Sequence, residues 1–157
     1  MSSTGEEAAM LTDEMQRLIL RFSAGAVATV NADGTPSVSP KATFVVLNDR
    51  TLAFGHIRSP GTVANLRRNP AIEVCFTDVV TRRAVRVTGT AAIIHRDDAD
   101  AALDDAFEAA WGPYRPRMSA YVRIAVTAAE IILSPAYDLG LTEDELRKTN
   151  LEKLNTY

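Results

Sequence analysis

Residues 56–70 read His-Ile-Arg-Ser-Pro-Gly-Thr-Val-Ala-Asn-Leu-Arg-Arg-Asn-Pro, and four in a row have the chemistry of an anion site. Ser59 stands where a helix N-cap is expected and Pro60 brings the pre-set φ of a first helical position. Gly61 leaves the approach open, and Thr62 adds a hydroxyl at the third position. A helix start exposes unpaired N–H groups and the positive end of the macrodipole, which together suit a phosphate. The same four residues also suit a plain helix cap, and the spacing alone fits both readings. Three basic groups lie close in sequence or in the expected pairing. Arg58 precedes Ser59, His56 ends the preceding apolar segment, and Lys41 lies on a strand expected to neighbour it. Arg67 and Arg68 are expected to project into solvent.

Other reactive types point elsewhere. Cys75 alternates with Val74 and Phe76 in a strand pattern and is expected to be a buried, inert thiol. Trp111 and Tyr114 flank Gly112-Pro113 at a helix end, where they either plug the core or wall a ligand pocket. Asp97, Asp98, Asp100, Asp104 and Asp105 read as a first-turn and outer-face charge run, so no metal site is expected. No dinucleotide glycine fingerprint, phosphate loop or Ser-His-Asp pattern is present.

The elements that must position these residues follow from periodicity. Thr12 caps a helix carrying Met15, Leu18, Ile19 and Phe22 on one face. "GAVATV" and "SVSPKATFVVL" form a hairpin around the Asp-Gly turn at 33–34. Pro40 deletes a backbone donor inside the returning strand, so that strand should bulge or lie at an edge there. "TLAFGHI" precedes the short helix that Asn69-Pro70 ends. "AIEVCFTD", "RRAVRVTGTAAIIH" and "SAYVRIAVTAAEIIL" are further strands, with a helix over "RDDADAALDDAFEAAW" inserted before the last. Thr142 and Glu145 open a capping box for a mostly polar terminal helix, whose sparse Leu146, Leu151 and Leu154 suggest docking on a partner surface. Residues 1–11 are expected to be disordered and residues 141–157 to form a helical tail on a single domain. The pattern is mainly β with α-helices: a six-stranded antiparallel barrel, because strands and helices do not alternate.

The chain has 157 residues, 46% of them hydrophobic, enough for one full core. A net charge of −3 argues against a general polyanion binder, so no nucleic-acid partner is expected. One cysteine allows no internal disulfide and fits a reducing compartment. The acidic start is unlike a secretory signal, and no apolar run is long enough to span a bilayer, so a cytoplasmic protein with no membrane partner is expected.

The ordered set "DGTP", "SPK", "NLRRNP" and "VTG" resembles the small proteins related to pyridoxamine 5′-phosphate oxidase, the FMN-binding split-barrel family. The likeness is close over 26–94 and holds in outline elsewhere. It implies a six-stranded split barrel that dimerises, with cofactor sites in the clefts between subunits. By position it places Ser39, Pro40, Lys41 and Ala42 along the flavin ring. It places His56, Ile57, Arg58, Ser59 and Thr62, with Asn65 one turn further, around the ribityl phosphate. Two departures stand out. Pro60 and Gly61 occupy positions where relatives carry basic residues, which implies fewer fixed cations. "IILSPAYDLGLTEDEL" lacks the arginine-containing segment that grips substrate phosphate, so pyridoxal phosphate synthesis is not expected. The resemblance therefore implies an FMN-dependent oxidoreductase of unassigned substrate, with deazaflavin (F420) as a variant cofactor. A non-enzymatic flavin or haem carrier is the alternative from another class.

Overall fold

A computed structural model describes residues 10–157. Its scaffold is one antiparallel sheet of seven strands in the order β2-β1-β5-β6-β7-β4-β3, with helices packed on it. The strands are β1 (Gly25–Val30), β2 (Pro36–Lys41), β3 (Phe44–Asn48), β4 (Thr51–His56), β5 (Ala71–Asp78), β6 (Arg83–His95) and β7 (Ala120–Leu133). The helices are α1 (Asp13–Arg21), α2 (Pro60–Arg68), α3 (Ala101–Trp111) and α4 (Glu143–Asn155).

The mainly antiparallel architecture agrees with the sequence pattern, but the strand count and the closure do not. The segment expected to run unbroken over 37–47 divides into β2 and β3, so the sheet has seven strands, not six, and it is not closed. Division comes at Ala42 and Thr43, two residues after Pro40. Pro40 itself still pairs with Ala26 on edge strand β2. The Thr43 hydroxyl takes over from the lost ladder: it accepts from the Gly55 amide at 3.1 Å and donates to the Gly55 carbonyl at 3.2 Å. The two halves then go to opposite edges of the sheet. Only two residues separate Lys41 from Phe44, a span of at most about 11 Å. The sheet must therefore curl until its two edges stand side by side, leaving a seam.

The curl encloses the main core. Gly25 shows how tight it is, because a Cβ there would lie 2.8 Å from Val74 and 3.1 Å from Phe44 across the enclosed space. Phe44 meets Phe76 edge-on, with centroids 4.7 Å apart. Helix α1, capped by the Thr12 side chain, inserts Met15 and Ile19 into this core. Leu66 of α2 packs into the same core. A second cluster covers the opposite face of β3, β4 and β7, where Leu103 and Phe107 of α3 meet Tyr121. Phe107 and Tyr121 stack at 4.2 Å, and the buried Tyr121 hydroxyl donates to Asp104 at 2.7 Å. Arg115 also grips the Asp104 carboxylate, so Asp104 belongs to a structural network. That network holds the Asp104 carboxyl below its usual range, first through Arg115 and then through Tyr121.

Three smaller expectations change. Leu11 is fully buried, so the expected disorder at 1–11 does not extend to it; residues 1–9 lie outside the described residues. Cys75 is half-buried opposite Arg86, on the outer side of β5, while Val74 and Phe76 point inward. The terminal helix α4 forms with both bonds of its capping box, and it docks on this chain through Leu146 and Asn150 while Leu151 and Leu154 stay exposed.

Candidate functional site: an anion cleft at the seam

Alternation along β2 decides which groups reach the seam. Pro36, Val38 and Pro40 face solvent, whereas Ser37, Ser39 and Lys41 are half-buried and pair with the inward-facing Thr29, Val27 and Gly25. Ser39 thereby meets the start of α2, its Oγ lying 3.3 Å from the Thr62 Oγ1. Ser59, Thr62 and Asn65 are all buried on the side of α2 that faces the sheet. Ser59 holds the N-cap position, but its side chain makes no capping bond; only its carbonyl accepts, from the Val63 amide at 3.0 Å. Thr62 is thus directed at the hairpin, and the Ser59 hydroxyl is not spent on the helix.

Asn65 has a different task. Its side-chain amide donates to Thr29 Oγ1 and to Asn31 Oδ1, both at 3.0 Å, and its oxygen accepts from Arg68 at 3.3 Å. Both amide hydrogens are therefore committed to clipping α2 onto the hairpin. Ile57, Arg58, Pro60 and Gly61 are exposed, and nothing lies within 4 Å of where a Gly61 Cβ would stand. Ala42 is exposed at the turn between β2 and β3.

His56, at the end of β4, is the electrostatic centre. Its Nδ1 is buried without a hydrogen-bond partner. Burial holds the imidazole below the usual histidine value, and the charges of Lys41 and Arg67 depress it further. Burial likewise lowers the Lys41 ammonium. Among the described residues neither Lys41 nor Arg67 forms an ion pair. Two cations and a partly desolvated imidazole facing one another with no carboxylate between them repel, and an anion would relieve that repulsion. Arg67 was expected in solvent; it does lie at the surface, yet its charge acts on His56. The sequence offered no signal for this, because the effect acts through space between the last turn of α2 and the end of β4.

Set together, the groups form a cradle of hydroxyls (Ser39, Ser59, Thr62), free helix N–H groups and two unpaired cations. Hydroxyl donors, helix N–H groups and positive charge are the chemistry that suits an anion such as a phosphate. Among the described residues no group of three metal-ligating side chains occurs, and no helix is long and apolar enough to cross a membrane.

A curled, unclosed antiparallel sheet of seven strands with helices packed on it defines a mainly β protein. Residues 11–134 match the pyridoxamine 5′-phosphate oxidase family, and the chain belongs to it. Among solved structures it is similar to HupZ of Group A Streptococcus, at 30% identity and TM-score 0.66, over 80% of this chain and 96% of that one. A Lactobacillus delbrueckii protein provisionally described as a pyridoxamine 5′-phosphate oxidase is 25% identical, with TM-score 0.63 over 80% of this chain and 97% of that one. An F420 reductase, 23% identical with TM-score 0.58 over 73% of this chain and 94% of that one, shares the fold. So do an FMN-binding protein from Syntrophomonas wolfei, at 11% identity and TM-score 0.58, and the Vibrio cholerae heme storage protein HutZ, at 18% and 0.63. No curated protein sequence matches the chain.

Proposed function

We propose that the chain binds FMN in the seam cleft and works as a flavin-dependent oxidoreductase. The observation that supports this most is the 3.3 Å meeting of Ser39 and Thr62 at the start of α2, beside a His56 flanked by the unpaired Lys41 and Arg67. The residues fit the phosphate end of the cofactor: the Ser59 and Thr62 hydroxyls donate to its oxygens, helix N–H groups face it, and the positive charge that Arg67 brings to His56 favours it. The buried Nδ1 of His56 is an unsatisfied polar group that a ligand would complete.

When bound, the flavin supplies the hydride or electron transfer, and the protein supplies orientation and electrostatics. In this reading Ser39, Pro40, Lys41 and Ala42 line the ring, with Lys41 the one charge able to face its polar edge. Ser59 and Thr62 hold the phosphate, Ile57 and Arg58 border it, and Asn65 keeps α2 and the hairpin in register. A homodimer, in which a second copy completes each cleft, belongs to the same proposal; the exposed Leu151 and Leu154 of α4 offer it apolar surface.

The free ring nitrogen of His56 favours one other reading, haem carriage, because imidazole is a haem-iron ligand. Purified protein mixed with FMN, F420 or haem in turn separates the cases by visible absorption after desalting. Retained flavin absorption is expected. A Soret band alone would favour the haem carrier, F420 retained alone would move the chain to the deazaflavin users, and no uptake of any of the three would overturn the cofactor reading.

A further inference from the structure

Beyond the seam, α2, β6, β7 and the turn at Arg96–Asp98 border an open pocket of about 340 Å³ lined by Leu66, Arg67, Ile93, His95, Asp98 and Ala120. Leu66, Ile93 and Ala120 form an apolar floor, and Arg67, His95 and Asp98 form the rim. Ala120 pairs with His56 on one side and His95 on the other, so all three side chains leave the same face of the sheet. The chain's two histidines therefore stand in one row, about 10 Å apart with a methyl group between them.

The rim is charged but not self-satisfied. Among the described residues Arg67 and Asp98 form no ion pair with each other or with any other group. His95 accepts the Asp97 amide on Nδ1 at 3.3 Å, which leaves Nε2 carrying the proton of the neutral ring as a donor. An apolar floor with an unpaired cation, an unpaired carboxylate and an imidazole donor is the lining of a small amphipathic ligand's pocket, and the volume lies in the range of such sites.

We propose that this cavity binds a small amphipathic molecule with two polar ends. An anionic group meets Arg67 and the His95 Nε2–H, a cationic or hydrogen-bond-donating group meets Asp98, and an apolar body lies on Leu66, Ile93 and Ala120. Arg67 faces both this cavity and His56. On the cofactor reading above, the occupant would therefore stand next to the seam cleft, where a substrate or electron donor must be. Binding itself does not depend on that reading.

The probes are 4-(aminomethyl)benzoate, which carries both charges, and its halves benzoate and benzylamine. They are titrated into the full-length protein without added cofactor, and amide shifts are followed by two-dimensional NMR. Saturable shifts at Leu66, Ile93, His95 and Ala120 are expected. Arg67→Gln should weaken the two carboxylate probes about tenfold and leave benzylamine unchanged, while Asp98→Asn should weaken the two amine probes and leave benzoate unchanged. Both are exposed positions, so the fold should survive substitution. Absence of shifts at the cavity, or shifts that neither substitution alters, would overturn the proposal. Because the titration omits flavin, its failure is distinct from failure to take up FMN.

Discussion

The hydroxyls of Ser39 and Thr62, 23 residues apart in sequence, lie 3.3 Å from each other where edge strand β2 meets the start of α2. Each hydroxyl has a donor and two acceptor positions, so the contact uses only part of the hydrogen-bonding capacity of the pair. Replacing both with alanine should weaken FMN binding by roughly 1–3 kcal/mol, the order for lost hydrogen bonds to a charged group. Thermal unfolding should change little, since the contact is only part-buried. Fluorescence titration with FMN, run beside a melting curve, checks both; a large loss of stability with unchanged affinity would make the pair structural only.

His56 makes the cleft pH-dependent in a stated direction. The folded chain lowers its proton affinity, so an unfolded-chain histidine, with its ordinary value of about 6.5, takes up a proton first as the pH falls. Folding stability should therefore drop on acidification below about pH 6.5 and be free of this cost at higher pH. An anion beside His56 raises its proton affinity again, so FMN binding should tighten as the pH falls toward the ordinary histidine value of about 6.5. His56→Gln should flatten both profiles, as read by denaturant titration and by FMN affinity across that fall in pH.

Lys41 has a half-buried ammonium with no carboxylate partner among the described residues, and burial already lowers its proton affinity. Lys41→Met keeps the aliphatic stem and removes the desolvated charge. The ligand-free protein should become more resistant to denaturant, while FMN affinity falls about tenfold. Stability and affinity moving in opposite directions is the signature of a charge kept for a ligand.

Gly89 lies at the register shift between β6 and β7, where a Cβ would stand 2.5 Å from the Ala125 carbonyl oxygen and 2.7 Å from Ile124 Cγ2. The first of these is backbone and cannot swing aside. Gly89→Ala should cost about 1–3 kcal/mol or more by overpacking, seen as a lower denaturation midpoint.

Asn150 ties α4 to the turn before β6, donating to the Val80 carbonyl at 2.8 Å and accepting from Arg82 at 3.3 Å. Asn150→Ala should cost about 1–3 kcal/mol, because the part-buried Val80 carbonyl loses its donor and Arg82 an acceptor. Hydrogen exchange should speed up in α4 before it does in the sheet.

Local signals were strong where one side chain decides a backbone state. Thr12, the Asp-Gly turn, Asn69-Pro70 and the Thr142–Glu145 box each mark an element end that the structure reproduces. The Ser-Pro pair placed α2 correctly, yet Ser59 does not cap with its side chain, because whether an oxygen bonds its own helix depends on what lies opposite. The seventh strand stayed hidden for a similar reason. β-Propensity runs through Ala42 and Thr43, and only the distant Gly55 amide, satisfied by Thr43, shows why the chain breaks there. Arg67 and Asp104 read as surface charges from spacing alone. The His56 that feels the charge of the one, and the Arg115 and Tyr121 that bind the other, come from elements that sequence periodicity cannot bring together.

Pro36 and Pro40 occupy the same alternating row of β2, with the exposed Val38 between them. On an edge strand a proline's missing N–H faces outward, so along this row Val38 is the single backbone donor left to offer a neighbour. A second chain cannot extend the sheet there by a regular ladder, and fibre-like growth from this edge is blocked. A second copy meeting this edge would have to do so through side chains, not through a continued strand.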